Sequence, residues 1–356
     1  MIHMAELKKV LLIGAGGWSR EHWIDIVLPD FQDKIEIVGL VDLKSEILKD
    51  SGKKLNLPSH LLFTDPIHAF ENIKADFCIV VVPPSAHKEI YKLAVNKKMN
   101  ILSEKPISDN LADIIETYKL LKKSKIKMAV TQNYRYESPI LTLKSVLERG
   151  RLGRIDYIVS RYASDYRKPR SWDVGSVYEM ENPLLFEGSV HHFDMIRSLS
   201  KSDVKNIAGS TWNPDWSTFK SNSNALFIME MENGIKAVYE GSSNAAGFIN
   251  RWHQEYYRVE CEKGSVVVDR GDRIVRVYSR SRNGTQQIEE IISLPALKTG
   301  HHLILNKFLE WLDGGSAPET NIDDNIKSAL VVFAAAKASK SGRPQLMKDY
   351  LSKLKT

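Results

Sequence analysis

The sequence predicts an α/β fold made of two domains, the first with a parallel sheet and the second of α+β type with a mostly antiparallel sheet. Apolar strands alternate with helices over the first 130 residues, which is typical of a parallel sheet covered on both faces. After about residue 150, short strands follow one another through turn signals such as Asn233-Gly234, which favours an antiparallel sheet. Because 356 residues exceed what one core usually supports, we place one domain at residues 1–130 and the other at residues 131–356.

In the first domain, strands and helices take turns along the chain. Strands are predicted at Lys9–Ile13, Ile35–Val41, Leu61–Phe63, Ala75–Val82, Ile101–Ser103 and Lys127–Thr131. Helices are predicted at Arg20–Leu28, Ala86–Asn96 and Leu111–Lys122.

In the second domain, most of the predicted strands precede the last helices. Strands are predicted at Ile155–Tyr162, Ala225–Met231, Ile235–Tyr239, Tyr256–Cys261, Ser265–Asp269 and Ile274–Ser279. Helices are predicted at Glu187–Leu199, His302–Leu312 and Asp324–Ser339.

The composition is that of an ordinary globular protein, with 43% apolar and 26% charged residues. The net charge is +6, but basic residues are scattered on helix faces, as at Lys122–Lys125, so we expect no nucleic-acid partner. The longest apolar run, Phe77 to Val82, is too short to cross a bilayer, and we expect no membrane association. Cys78 and Cys261 lie in apolar contexts and are interpreted as buried thiols. Together these features predict a cytoplasmic protein.

The segment Gly14-Ala-Gly-Gly-Trp-Ser19 follows the first strand and opens the first helix, where a Gly-x-Gly-x-x-small pattern is typical of dinucleotide binding in a Rossmann domain. Gly14, Gly16, Gly17, Trp18 and Ser19 are therefore candidates for cofactor contacts.

Asp42 ends the second strand, 23 residues after Ser19, where an acid can hold the ribose hydroxyls of NAD. It would repel the 2′-phosphate of NADP, so NAD is favoured, although Lys44 softens that preference and leaves NADP possible. Alternatively, Asp42 only caps the next helix.

Three short segments follow predicted strands at their carboxyl ends, where open parallel sheets bind ligands. These segments are Pro83-Pro84, Glu104-Lys105-Pro106 and Asn133-Tyr134-Arg135. A partly desolvated Lys105 would stabilise negative charge on a substrate hydroxyl that loses its proton. The alternative for Glu104 and Lys105 is a surface ion pair.

A stripe of Glu187, His191 and Asp194 shares one face of the helix predicted at Glu187–Leu199, and His192 points elsewhere. Facing a crevice, a histidine–acid stripe would transfer protons, because histidine titrates near neutral pH. The alternative is a solvated helix face. No metal is expected, since no cysteine lies nearby and no third ligand is evident. His301 and His302 are expected to be peripheral.

Over nearly its whole length the sequence resembles the glucose–fructose oxidoreductase/inositol dehydrogenase/MocA family. The matching segments are Gly14–Gly17 with His22, Val80–His87, Ser103–Pro106, Asn133–Tyr136, Gly150–Gly153 and Gly188–Asp194. The resemblance implies NAD(P)-dependent oxidation of sugars, cyclitols or related polyols. It also implies a Rossmann domain followed by a domain with a large open sheet, through which homodimers or homotetramers form.

The resemblance also implies roles for individual residues. Lys105 would be the catalytic lysine and His191 the proton-transfer residue, with Glu187 where the family commonly has aspartate. Cofactor contacts would further include Pro83, His87, Glu104 and Asn133, and substrate contacts Arg135, Trp172 and Asp194. Two other functions remain open: a redox-neutral glycosidase that uses NAD transiently, and a non-catalytic regulator that binds nucleotide.

Overall fold

The structure is a computed structural model that describes residues 7–168, 175–293 and 298–355. Contacts between Cα atoms divide the chain into two units. The first unit runs to residue 131 and also includes residues 301–326. The second unit comprises residues 132–300 and the residues from 327 onward. The predicted division at residue 130 lies next to the observed one, but residues 301–326 had been assigned to the other domain.

The first unit contains a parallel sheet with the strand order β3-β2-β1-β4-β5-β6. Its strands are β1 (Lys8–Ile13), β2 (Ile35–Val41), β3 (Leu62–Phe63), β4 (Phe77–Val80), β5 (Asn100–Ser103) and β6 (Met128–Val130). Leu11, Ile79 and Leu102 from the central strands are completely buried. Continuous apolar strands buried on both faces favour this doubly covered parallel sheet, which confirms the predicted fold class.

Helices alternate with these strands, and the first of them is unusual. Residues Ser19–Val27 form a π-helix, and Leu28–Phe31 continue it as a 3-10 turn. The following helices are α1 (Ser45–Lys54), α2 (Pro66–Asn72), α3 (Pro84–Asn96) and α4 (Leu111–Lys123), with a 3-10 turn at Ser59–Leu61.

The second unit contains a sheet with the order β14-β13-β12-β11-β7-β10-β9-β8-β15. Its strands are β7 (Ile155–Ala163), β8 (Val204–Trp212), β9 (Asn224–Met231), β10 (Lys236–Ser242), β11 (Tyr256–Cys261), β12 (Gly264–Asp269), β13 (Ile274–Arg280), β14 (Gln286–Ile292) and β15 (Gln345–Leu346). Among the described strands, β7 and β10 pair in parallel and the other neighbours pair antiparallel. This confirms the mostly antiparallel sheet.

The helix predicted at Glu187–Leu199 consists of two parts. A π-helical turn spans Leu184–Ser189, and α6 follows at Val190–Ser200, after the earlier helix α5 (Ser138–Glu148). The hydroxyl of Ser189 donates to the carbonyl of Leu184 at 3.1 Å, which matches the wider turn. All residues of α6 except Ser198 are buried, so the helix has no solvated face. Shorter 3-10 turns lie at Asn133–Tyr136 and Gly175–Tyr178.

The segment 301–326 returns to the parallel sheet because it carries apolar residues that fit there. Helix α7 (His301–Leu312) places the Phe308 ring 5.4 Å from the ring of Phe77 on β4. Beyond α7, the backbone N–H of Val130 donates to the carbonyl of Thr320 at 2.9 Å, which extends hydrogen bonding past β6. The remaining elements are α8 (Ile322–Ser341), α9 (Lys348–Leu351) and a 3-10 turn at Ser352–Leu354.

Several elements were absent from the prediction, among them α1, α2, α5, β8 and β14. Strand β14 reads Gln-Gln-Ile-Glu-Glu-Ile-Ile, lies at the sheet edge and is exposed over most of its length, so it lacks a buried alternating face.

In the described parts of the chain, no helix combines the length and the apolar character that are needed to cross a membrane.

Candidate active site

The turn after β1 is shaped by close backbone contact. Gly14 has a φ of +96°, and a Cβ atom there would lie 2.0 Å from the carbonyl oxygen of Val81. The N–H of Gly14 also donates to the carbonyl of Val41 at 2.8 Å. Only glycine fits this position, since the left-handed backbone and the nearby carbonyl both exclude a side chain.

Buried hydroxyl groups hold the inner side of the loop by hydrogen bonds, while its outer side at Gly17 borders open space. Ser19, buried, donates its hydroxyl to the carbonyl of Gly14 at 2.6 Å, and Ser51 donates to the carbonyl of Ala15 at 2.7 Å. Gly17 has a φ of +46°, and a Cβ atom there would meet nothing within 4 Å. The open backbone at the start of the first helix therefore fits a pyrophosphate group, whose charge favours a helix N-terminus. Ser19 replaces the more usual Gly or Ala without loss, because its hydroxyl closes the loop.

Asp42 is held beside this loop. Its carboxylate accepts the N–H of Ala15 at 2.9 Å and the N–H of Lys44 at 2.9 Å. Lys44, not Asp42, occupies the N-cap position of α1, so the alternative in which Asp42 caps that helix does not hold. The carboxylate is only half-buried and keeps surface for the ribose hydroxyls of a dinucleotide.

Glu104 follows β5 and is the most enclosed charge of the first unit's candidate site, with 7% of its surface exposed. Among the described residues, four side chains hydrogen-bond its carboxylate: Trp18 Nε1 at 3.1 Å, Trp23 Nε1 at 2.9 Å, His301 Nε2 at 3.1 Å and Thr131 Oγ1 at 2.6 Å. Burial raises the pKa of Glu104, but the charge of His301 and the hydrogen bonds from His301, Thr131 and Trp23 lower it to about 2. Glu104 is thus an ionised anchor whose carboxylate oxygens are hydrogen-bonded by side chains of the first unit, and its predicted contact with a cofactor stays a prediction.

His87 also has a structural position. It is 0% exposed, its Nε2 lies 2.9 Å from the carbonyl oxygen of Val82, and its Nδ1 lies 3.0 Å from the Tyr91 hydroxyl. Burial lowers the pKa of His87, so its ring is neutral. The ring orders the end of β4, while the nearby Pro83 is exposed, and the cofactor contact expected of His87 stays a prediction.

Lys105 directly follows Glu104 and is half-buried at the carboxyl end of the parallel sheet. Its ammonium group is therefore attached to the backbone that the Glu104 hydrogen bonds fix. A half-buried lysine keeps contact with solvent while its neighbours reduce its freedom of movement. This is the position expected for a lysine that stabilises developing negative charge.

His191 belongs to the second unit and is buried on α6. Its ring stacks on the ring of Tyr134, with a centroid distance of 4.4 Å and an interplanar angle of 15°, and meets Trp252 edge-on at 5.6 Å. Aromatic rings fix the orientation of an imidazole without removing its capacity to carry a proton. Glu187 is half-buried in the π-helical turn before α6, and Trp172 lies outside the described residues.

Arg135 and Asp194, both expected to contact substrate, are instead bound to each other. Arg135 Nε lies 2.6 Å from Asp194 Oδ2 and Nη2 lies 2.6 Å from Oδ1, and both side chains are buried. Ser328 also donates to Asp194 Oδ1 at 2.6 Å. This two-pronged ion pair ties the Asn133–Tyr136 turn to α6 and leaves neither group available at a surface. Asn133 is buried as well, with its amide 3.3 Å from Glu137 Oε1.

A buried carboxylate, Glu255, supports the ring on which His191 stacks. Tyr134 donates its hydroxyl to Glu255 Oε1 at 2.7 Å, and Arg270 Nη1 lies 2.5 Å from Oε2. The Arg270 guanidinium is also 4.3 Å from the centre of the Tyr134 ring. Burial raises the pKa of Glu255, but the charge of Arg270 and the interaction with His192 lower it to about 2.

Glu255, Arg270 and His301 were missed by the sequence analysis. Arg270-Gly-Asp272 was interpreted only as a turn, and His301 was expected to be peripheral, which is wrong because its ring is buried against Glu104. The local sequence signals a buried ion pair only by a charged residue beside a predicted strand. Many charged surface residues show the same pattern. Among the described residues, no three His, Cys, Asp or Glu side chains are grouped to hold a metal ion.

Comparison with protein families supports the assignment of both units. Residues 8–132 match the model of an oxidoreductase family with an NAD-binding Rossmann fold, and residues 140–267 match the model of the GFO/IDH/MocA C-terminal domain.

Similar proteins match nearly the whole chain. An uncharacterised protein of Sinorhizobium fredii, y4oX, is 36% identical over 353 residues, with 96% of each chain covered. A myo-inositol 2-dehydrogenase of Thermotoga maritima is 22% identical, covering 96% of this chain and 99% of that protein. The structure of a levoglucosan dehydrogenase in complex with NADH aligns with a TM-score of 0.83 at 17% identity, covering 96% of this chain and 99% of that chain.

The two loop glycines should differ in their tolerance of alanine. Gly14→Ala should lower the free energy of unfolding of the first unit by about 3 kcal/mol or more, because the new Cβ strains the backbone against a carbonyl. Gly17→Ala, which enters open space, should cost only about 1 kcal/mol. Urea unfolding monitored by circular dichroism measures both variants, and equal losses would contradict the close packing at Gly14.

The Glu255 ion pair should make stability depend on acid. Its pKa is lowered in the folded state, so its contribution is present above the ordinary value of 4.5 and is lost as pH falls toward 2. Glu255→Gln should therefore be about 3 kcal/mol less stable at pH 7, and the difference should shrink below pH 4.5. Urea unfolding between pH 7 and pH 3 measures the difference.

A surface pair provides the control for that series. Glu262 faces Arg154, whose side chain is 91% exposed, so Glu262→Gln should change the free energy of unfolding by less than about 1 kcal/mol. A Glu255→Gln deficit that stays constant down to pH 3 would refute the proposed ionisation of Glu255.

Proposed function

Because this chain belongs to the glucose–fructose oxidoreductase/inositol dehydrogenase/MocA family of NAD-dependent oxidoreductases, we propose that it oxidises a secondary or anomeric hydroxyl of a sugar, cyclitol or related polyol. The observation that carries the proposal is the fit of the loop after β1 to a dinucleotide. That loop combines an open Gly17, a helix N-terminus and the half-buried Asp42 carboxylate. Relatives named as a D-apiose dehydrogenase and a myo-inositol 2-dehydrogenase support this class of substrate.

The cofactor choice depends on Asp42. Its carboxylate is oriented by two backbone N–H groups and carries a negative charge next to the phosphate loop. A carboxylate accepts hydrogen bonds from two ribose hydroxyls and repels a 2′-phosphate, which favours NAD over NADP. The exposed Lys44, two residues away, is the group that would moderate this preference.

The proposed reaction divides the work between a lysine and a histidine. When bound, NAD supplies the acceptor for the hydride that leaves the carbinol carbon. His191 takes the proton of the substrate hydroxyl on a ring nitrogen, and the ammonium group of Lys105 stabilises the alkoxide that develops. Glu187 orients the imidazole or binds another hydroxyl of the substrate. The stacking of His191 on Tyr134 supports its role, since the ring is held in one orientation before substrate arrives.

Arg135 and Asp194 support the reaction indirectly in this proposal. Their mutual ion pair fixes α6, and α6 carries His191. Asn133 has a similar position in the same turn, and Trp172 keeps its proposed place near the substrate on the strength of the family resemblance alone.

The decisive experiment measures nicotinamide absorbance with NAD or NADP against aldoses, sugar acids and cyclitols. We expect reduction of NAD with at least one of these classes and slower reduction of NADP, because of Asp42. Lys105→Met should lower turnover by about a thousandfold or more, since the alkoxide loses its stabilising charge, with little change in the affinity for NAD.

An exposed lysine provides a matched control for that variant. Lys97→Met, at the end of α3, should leave turnover unchanged. Turnover of Lys105→Met near the native rate would refute the role of Lys105. Cleavage of an aryl glycoside without net NADH would instead identify the redox-neutral glycosidase.

We also propose that the chain forms a homodimer or homotetramer through the second unit's sheet. Leu226, Ile228 and Val238 are exposed on neighbouring strands, and Val238 lies opposite Ile228 in the β9–β10 register. Adjacent apolar side chains on an exposed sheet face are typical of a protein interface.

Charge at this face should therefore change the assembly. Ile228 is 63% exposed, and Ile228→Glu should disrupt association. Ile67→Glu on α2, at a site of similar exposure, should not. Sedimentation velocity gives the mass of each variant, and an unchanged assembly in Ile228→Glu would refute this surface.

A further inference from the structure

A chain of aromatic and ionisable side chains runs from Glu104 to the surface within the first unit. His301 Nε2 lies 3.1 Å from Glu104 Oε1, and His301 Nδ1 lies 2.8 Å from His22 Nε2. His22 in turn stacks on Trp18, with a centroid distance of 4.3 Å and an interplanar angle of 9°. His301 is buried, whereas His22 is half-buried and Trp18 is exposed, so the chain connects an interior carboxylate with solvent.

Trp18 is the link between this chain and the cofactor loop. It follows Gly17 directly, and its indole is held on one side by the hydrogen bond to Glu104 and on the other by the His22 ring. An exposed aromatic side chain would otherwise sample several rotamers. The position of the backbone at Gly17 therefore depends on the histidine pair as well as on Glu104.

The hydrogen bond between the two histidines limits their charge. With His301 Nε2–H donating to Glu104, a neutral His301 accepts the His22 Nε2–H at Nδ1. Alternatively, a doubly protonated His301 donates to a neutral His22. Because one nitrogen must donate and the other accept, the 2.8 Å contact is compatible with one added proton but not with two.

We infer that His22 and His301 are positioning residues for NAD: their shared hydrogen bond holds Trp18 at the phosphate loop, and protonation of both rings releases it and weakens NAD binding. The inference rests on NAD binding at this loop and does not depend on the substrate.

Other charged groups around the pair are already engaged. His302, next in α7, lies 3.1 Å from Asp30. On the first helix, Asp25 pairs with Lys54 at 2.6 Å, and Arg20 lies 3.9 Å from Asp50. Glu21 on the same helix is exposed, and Trp23 adds an uncharged ring 5.4 Å from His301. Among the described contacts, Glu104 is the carboxylate that hydrogen-bonds the pair, through His301 Nε2.

Calorimetric titration of NAD into the full chain between pH 8 and pH 5.5 tests this inference. The dissociation constant of the native protein should rise about tenfold toward pH 5.5, because Trp18 loses its stacking and its fixed position. His22→Gln keeps a non-titrating N–H donor for His301 Nδ1 but loses the ring that stacks on Trp18. Its dissociation constant should therefore be somewhat higher than the native one at pH 8 and should not rise toward pH 5.5. His22→Ala should bind more weakly at every pH, also without a slope.

His302→Gln is the matched control, since it removes an adjacent histidine whose Nε2 lies 3.1 Å from Asp30 instead, and it should keep the native pH dependence. A second readout needs only the native fold: the emission of Trp18, taken as the difference between the native protein and Trp18→Phe, should shift to longer wavelength as pH decreases, because the released indole leaves the His22 ring and enters solvent. A native dissociation constant that varies less than twofold, or a His22→Gln variant with the native slope, would overturn the inference. Absence of turnover on every substrate would refute the proposed reaction without affecting these binding measurements.

Discussion

The first unit depends on one buried negative charge, the carboxylate of Glu104. Removing an ion from water costs several kcal/mol, so a buried carboxylate persists only where donors replace its hydration. Those donors come from the phosphate loop, the first helix, the end of β6 and the start of α7. Each of these segments is therefore held at the point where the sheet meets its ligand. Lys105, next in the chain, takes its position from the same hydrogen bonds.

The second unit also contains a buried negative charge, the carboxylate of Glu255. Here a guanidinium and a phenol satisfy the carboxylate, and the phenol belongs to Tyr134, the ring on which His191 stacks. In both units the pKa of the buried carboxyl group is lowered to about 2, so each remains ionised at neutral pH. The proposed reacting groups, Lys105 and His191, thus lie beside rigid electrostatic anchors that do not themselves react. In the proposed reaction, each anchor would limit the movement of the group beside it while charge develops on the substrate.

A π-helical segment begins each helix next to these anchors, at Ser19–Val27 and at Leu184–Ser189. π-Helical turns are less stable than α-helical ones and are retained mainly where they direct a side chain or a backbone group. In the first unit the segment carries His22 and Trp23, which surround Glu104 and His301. In the second it carries Glu187 and precedes His191.

The sequence alone determined what local patterns can encode. Apolar strands alternating with helices predicted the parallel sheet, turn signals predicted the antiparallel one, and the glycine pattern after β1 located the cofactor loop. The edge strand β14 escaped prediction because it buries no face. Partner choice among polar residues was beyond sequence reasoning: Arg135 and Asp194 are 59 positions apart and bind each other, and His301 reaches Glu104 across 197 positions. Only the tertiary structure decides such pairs, because a buried charge is satisfied by the donors that the fold brings close to it. The separation of two residues along the chain does not determine their distance in space.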